Sequence, residues 1–320
     1  MVTLLRQVRR RHGRVTDSRG RVRDGACSEK GRGHRRAVIV TTVHAKVAVV
    51  TGAASGIGRA LALGLARRGA RLALADIDPG GLGETARRAG ALGVEAHTWQ
   101  VDVGDRAAVV SFAAEVEKHY GTVHQLYNNA GIAGGGVNIL DAEWAVFERV
   151  LAVNLWGVLH TTKAFLPHLI DSGAGHLVNI SSLNGLMAQA ELGAYSTSKF
   201  GVRGFTEALR MEMVAAGHPV RVCVVHPGGV KTNIATATLA EAERIGRVVT
   251  AEYREQIRVY NERALRLSPD RAAEIILRGV EANRPRILVG GDARVVDVAV
   301  RLLPRVYPWL VGRAMRQAAR

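Results

Sequence analysis

Cysteine is scarce, with only Cys27 and Cys223 in 320 residues. Two thiols make no disulfide scaffold, and the usage suits a reducing compartment, which we take as the cytoplasm. The eleven histidines show no HxxxH pair and no Cys/His cluster, which argues against a metal site. The arginines near the amino terminus are not followed by an apolar run of the roughly 7–15 residues that a secretory signal needs. Acids are also few, 28 against 44 Lys and Arg, for a formal net charge of +16. The excess is uneven. Residues 1–43 carry eleven Arg and one Lys against Asp17, Asp24 and Glu29, a net of +9, and the other +7 is spread over 277 residues. That spread is an ordinary basic surface without the stripe that nucleic acid would require, so nucleic acid is not an expected partner.

What is present is 48% hydrophobic, enough for one substantial core. Residues 1–43 are rich in Arg and Gly and lack a sustained apolar period, so they read as a disordered basic extension. The stretch TVHAKVAVVTG reads as a natural start, and translation is expected to begin near Val40 or Val43. Residues 44–292 are expected to form one domain, followed by a basic amphipathic tail over 293–320.

Val47–Val50 reads as a buried parallel strand. Thr51-Gly52-Ala53-Ala54-Ser55-Gly56-Ile57-Gly58 follows, then a helical pattern over Arg59–Arg68 that stops at Gly69. Glycines belong where a chain must turn sharply and approach a pyrophosphate, with a helix amino end offering N–H groups. The next strand, Arg71–Ala75, ends at Asp76, whose carboxylate can accept hydrogen bonds from an adenine ribose and would repel a 2′-phosphate. Further strands are expected at His97–Val101, Val123–Tyr127, Gly175–Ile180, Val220–Val225 and Ile287–Val289. Helices are expected up to Tyr120, over Trp144–Leu169 and over Arg271–Ala282. This order predicts one doubly wound α/β domain with a mostly parallel seven-stranded Rossmann-type sheet. Cys223, on an apolar strand, reads as a core residue.

Tyr195 and Lys199 are four apart, one turn of a helix. A phenol ionises near ~10, and an ammonium beside it favours the phenolate, which suits a proton-transferring tyrosine. Ser182 can return to the same spot if a strand ends there.

The glycine pattern TGxxxGxG, Ser182 and YxxxK together resemble the classical short-chain dehydrogenase/reductase family, over roughly Lys46–Asp292. The resemblance implies a Ser182–Tyr195–Lys199 catalytic set, with Asn154 of VNLWG completing a tetrad by holding a water that links Lys199 to solvent. It implies cofactor contacts at Gly52, Ser55, Gly56, Ile57 and Gly58, and places Asp102-Val103 beside the adenine. Asn128-Asn129-Ala130-Gly131 resembles the family's NNAG segment, so Asn129, Ala130 and Gly131 are expected along the cofactor. Pro227-Gly228-Gly229-Val230-Lys231-Thr232 resembles its PGxxxT segment, in which Pro227, Gly228, Val230 and Thr232 hold the nicotinamide end. The family's phosphate-preferring members usually carry a basic residue where this chain has Ser55 or Ile77, so NAD is expected over NADP. Thr236–Arg266 matches the substrate lid, and Leu183, Leu186 and Met187 suggest an apolar pocket.

The implied activity is hydride transfer between the cofactor and a secondary alcohol or ketone, in a homodimer or homotetramer. A ketoacyl reductase is the alternative within enzymes, disfavoured by Asp76. A dinucleotide-sensing regulator without turnover is the alternative outside them, and the intact tetrad argues against it. Val295–Arg320 mixes Val, Leu, Tyr307 and Trp309 with arginines and two prolines, too short and charged to span a bilayer. It is expected to pack on the core or a sister subunit, with peripheral membrane contact as the alternative.

Overall fold

The computed structural model describes residues 42–134, 136–232, 249–251, 254–255, 258–259 and 265–318. Strand β1 (Val47–Thr51) shows why the sheet forms where it does. All five residues are buried, because the strand is covered on both faces. Ala48 and Val50 point into one hydrophobic cluster, and Val47 and Val49 into the other, as the two-residue period of a strand requires. In β2 (Arg71–Asp76), Leu72 and Leu74 alternate with Ala73 and Ala75 in the same way.

The seven strands lie in the order β3-β2-β1-β4-β5-β6-β7. The others are β3 (Ala96–Gln100), β4 (Gln125–Asn128), β5 (Gly175–Ile180), β6 (Val220–Pro227) and β7 (Arg286–Val289). Every neighbouring pair is parallel, which extends the expectation of a mostly parallel sheet. The chain winds outward from β1 to β3 and then returns to β4, beside β1. A crevice forms at the carboxyl ends of strands where the winding reverses.

Helix α1 (Gly56–Ala66) packs on one face of the sheet with α2 (Pro79–Gly90) and α7 (Pro269–Glu281). Helices α3 (Arg106–Tyr120), α5 (Gly157–Asp171) and α6 (Gly193–Ala216) cover the other. A Cβ on Gly64 would lie 2.6 Å from Leu277 Cδ1, so that glycine lets α1 and α7 come together. Asp78, Asp105 and Ser268 cap α2, α3 and α7 by accepting backbone N–H groups.

Three boundaries depart from the expectation in ways that matter for the site. Helix α1 begins at Gly56, inside the glycine turn and three residues before Arg59, so its first N–H groups belong to the turn itself. Strand β4 runs to Asn128, which pairs with Asn179 of β5. The helix expected over Trp144–Leu169 is divided into α4 (Trp144–Leu151), a π-helical turn (Ala152–Trp156) and α5. Its wider turn, with Gly157 N–H donating to Ala152 O five residues back, carries Asn154.

At the amino-terminal boundary, Val43 is buried in the core, whereas residues 1–41 lie outside the described residues. Most of the expected lid, residues 233–248 and 260–264, also lies outside them. Beyond β7 the tail forms two helices, α8 (Gly291–Leu302) and α9 (Tyr307–Ala318). Among the described residues no helix is long and apolar enough to cross a membrane.

Candidate active site

The crevice between β1 and β4 is built by close backbone approach. Gly52 has φ +67°, and a Cβ there would lie 2.8 Å from Ala130 Cα and from Asn129 Nδ2. A Cβ on Gly58 would sit 1.9 Å from Gly52 O, so neither position admits a side chain. Thr51 Oγ1 accepts the N–H groups of Asn129 (3.0 Å) and Ala130 (3.2 Å), and Asn129 Nδ2 donates to Thr51 O and Gly52 O. The glycine turn and the NNAG segment are thereby one rigid unit at the start of α1. Backbone N–H groups at a helix amino end, stripped of side chains, fit a diphosphate.

Asp76, at the end of β2, accepts Ala54 N–H at 2.9 Å and Asp78 N–H at 3.1 Å, so its carboxylate borders the turn. Arg59 was not singled out in the sequence. Its guanidinium donates to Ala54 O, Gly81 O and Thr85 Oγ1, clamping the turn to α2. Its signal is only a basic residue one position after the last glycine. Asp102 is exposed and accepts Gly104 N–H, whereas the Val103 side chain is buried against Gly157. Val103 can therefore meet a ligand only through its backbone.

Of the candidate catalytic residues, Asn154, Tyr195 and Lys199 come together at the carboxyl ends of β4 and β5, and Ser182 opens the turn that leaves β5. Lys199 is 3% exposed; its Nζ donates to Ile180 O at 3.1 Å and lies 5.7 Å from the Tyr195 ring centroid. Burial holds the Lys199 amine down at about 8. A Cβ on Gly131 would lie 3.1 Å from Asn154 Oδ1 and 3.4 Å from Lys199 Nζ, so both groups sit over the NNAG glycine. Asn154 is fully buried. Its Oδ1 accepts Ile132 N–H, and its Nδ2 donates to Ile132 O and Ser198 Oγ. With both amide hydrogens committed, a water shared with Lys199 has to be held through a carbonyl oxygen.

Ser182 caps a 3₁₀ turn (Leu183–Gly185), its Oγ accepting Asn184 N–H at 3.1 Å. Its O–H then remains as a donor for a ligand oxygen. Ser181, the other serine of the pair, donates to Lys199 O at 2.8 Å and ties β5 to α6. His226, unremarked in the sequence, is fully buried, and its Nδ1 donates to Ser182 O at 2.9 Å. Burial lowers its pKa, favouring the neutral ring.

The PGxxxT segment crosses to the glycine turn, where a Cβ on Gly56 would meet Thr232 Cγ2 at 3.3 Å. Gly228 N–H donates to Val289 O, Gly229 N–H to Asp292 Oδ2 at 2.6 Å, and Val230 bridges to Leu267. At the start of α6, Val137, Ile139, Val146, Phe147 and Ala194, together with Glu191, line a small groove. Far from the site, the fold gathers Glu95, His97 and His119 at the exposed edge, their ligand atoms all within 4.8 Å. Glu95 is also paired there with Arg71 at 2.7 Å.

A doubly wound parallel sheet with a side-chain-free turn at its reversal defines a dinucleotide-binding Rossmann protein. Residues 46–243 match the family model described as short chain dehydrogenase. The chain is 49% identical over 274 residues to a Mycobacterium tuberculosis protein named as an oxidoreductase, SadH, covering 85% of this chain and 96% of that one. Its fold superimposes on a short chain dehydrogenase/reductase from Burkholderia phymatum in complex with NAD. There the TM-score is 0.75 at 31% identity, over 84% of this chain and 96% of that one. A metagenomic short-chain oxidoreductase in complex with NADP gives a TM-score of 0.62 at 29% identity, over 77% and 98%. The protein belongs to the short-chain dehydrogenase family, and is an oxidoreductase using a nicotinamide dinucleotide.

Proposed function

We propose that the protein interconverts secondary alcohols and ketones of apolar character, with NAD as the preferred cofactor. The observation that carries this reading is that Lys199 Nζ lies against the Tyr195 ring and over Gly131 while donating to Ile180 O, two residues before Ser182. The dinucleotide, when bound, supplies or accepts the hydride.

In this reading Ser182 donates its O–H to the substrate oxygen and sets its distance from Tyr195. Tyr195 exchanges the proton with that oxygen. The Lys199 ammonium stabilises charge developing on the phenol oxygen and also holds the cofactor ribose. Asn154 fixes Ile132 and, through a carbonyl, a water that reconnects Lys199 to solvent. Gly52, Ser55, Gly56, Ile57 and Gly58 cradle the diphosphate, with Asn129, Ala130 and Gly131 along its flank. Asp102 and the Val103 backbone border the adenine. Pro227, Gly228, Val230 and Thr232 orient the nicotinamide end.

Preference for NAD is supported by Asp76, whose carboxylate beside the turn would repel a 2′-phosphate. Apolar character is supported by Val137, Ile139, Val146 and Phe147, which line a small groove at the start of α6, the helix that carries Tyr195. Exposed Phe200, Met211 and Val214 on α6 support a homodimer or homotetramer. Thiol usage, including the buried Cys223, supports the cytoplasm.

A panel of alcohols and ketones followed by NADH absorbance tests the reading, with Tyr195→Phe as its control. The variant is expected to bind NAD within about twofold of the wild type and to lose ~10²–10⁴-fold in turnover. Unchanged turnover refutes the role of Tyr195.

A further inference from the structure

The two helices after β7 present an apolar face that the rest of the described chain leaves uncovered. In α8, Val296, Ala299 and Val300 are half-buried and face the body, whereas Val295, Val298 and Leu302 face out. Their spacing of three and four residues puts them on a single stripe. Leu303, Val306 and Trp309 continue the exposed series into α9, and all six side chains are between 43% and 73% exposed. Exposed cations accompany them: Arg294, Arg301, Arg305 and Arg313. Arg313 lies over the Trp309 ring at 5.7 Å, a pairing of cation and amphipathic ring suited to a water–hydrocarbon boundary.

We propose that this face docks on the surface of an anionic lipid bilayer, with the apolar stripe among the acyl chains and the arginines at the headgroups. A helix with one apolar face and one basic polar face, and too many charges to enter hydrocarbon whole, lies in the interface plane and does not cross it. Charge decides against a second copy of the chain as the occupant. A twofold interface sets the same patch against itself, so the arginines would face their own copies. Arg301 is already paired with Asp297, and residues 291–320 hold no further acid for Arg294, Arg305 and Arg313. Asp292 and Asp297 are the only acids in residues 291–320. Asp292 is held by the N–H groups of Gly229 and Ala293, and Asp297 by Arg286 and Arg301. Anionic headgroups supply the missing negative charge.

The Asp292 contact also fixes where the docked face lies. Asp292 opens α8 and grips Gly229 of the loop that follows β6, so the face is attached directly to the cofactor side of the domain.

The test uses the full chain and vesicles of phosphatidylcholine with and without phosphatidylglycerol. Co-sedimentation is measured for the wild type, Leu302→Glu/Trp309→Glu, and Arg305→Gln/Arg313→Gln. The arginine-rich residues 1–43 are the same in all three proteins, so differences between them report the tail. The wild type is expected to sediment with the phosphatidylglycerol vesicles, and each double variant to partition at least ~10-fold more weakly. NAD binding should be unchanged throughout. Equal sedimentation of all three proteins overturns the proposal. So does a light-scattering mass that falls on introducing Leu302→Glu/Trp309→Glu, because the face is then a subunit contact. Should that variant fail to fold, the fluorescence lost on Trp309→Phe is tested for quenching by brominated lipids. Quenching supports the docked face, and its absence overturns it.

Discussion

Lys199 should make the protein less stable at neutral pH than it would be without it. Burial lowers its amine from 10.5 to about 8, a difference worth about 3 kcal/mol between charged and neutral forms. At pH 7 the folded protein therefore carries a charge that the unfolded chain would solvate better. Between pH 8 and 10.5 the unfolded chain binds more protons at this position than the folded one, so stability from this group rises with pH there. Lys199→Met removes the charge but also the hydrogen bond to Ile180 O, leaving a buried carbonyl at a cost of about 1–3 kcal/mol. The variant should thus be as stable as the wild type or more so at pH 7, by up to about 2 kcal/mol. That advantage should shrink by about 3 kcal/mol as pH approaches 10.5, while turnover is lost at every pH. Denaturant unfolding of both proteins at a series of pH values measures the difference, in which all other titrations cancel. A difference that stays flat from pH 7 to 10.5 would refute the reasoning. It would mean that the amine is solvated in the folded state or paired with an anion.

Other perturbations read different parts of the site. Gly58→Ala forces a Cβ to within 1.9 Å of Gly52 O; calorimetry should show NAD affinity lost by at least ~100-fold, and a normal affinity would mean the turn is not the diphosphate cradle. Asp76→Ser removes the carboxylate beside the turn, so the ratio of kcat/KM for NAD over NADP should fall by ~10-fold or more. Asn179 is fully buried, donating to Thr206 Oγ1 and accepting from Asn128 Nδ2; Asn179→Ala should cost about 2 kcal/mol in denaturant unfolding. A neutral effect would show that the buried polar network contributes nothing net.

Much of the architecture was legible because the responsible forces act locally. Continuous apolar runs such as Val47–Val50 mark strands covered on both faces. The glycine turn shows itself because a side-chain-free backbone has one composition that permits it. Tyr195 and Lys199 could be paired from their spacing, since four residues is one helical step. The sequence also supported a metal-free reading from the absence of local His clusters, yet the fold brings Glu95, His97 and His119 together from two elements.

What only the tertiary structure decided has long sequence separations or depends on burial. Arg59 clamps a turn to a helix begun some twenty residues later, Asp292 grips Gly229 from 63 residues away, and His226 steadies Ser182 from 44. No periodicity marks such contacts, because each is set by which strands lie side by side in the sheet. The π turn at Asn154 is of the same kind, since helix propensity does not register one residue inserted in a turn. The low pKa of Lys199 likewise comes from the protein packed around the amine and not from the residue itself. Residue types and short spacings thus specified the strands, the turn and the reactive pair. Parallel pairing and desolvation, which act between distant parts of the chain, decided how those groups are held and charged.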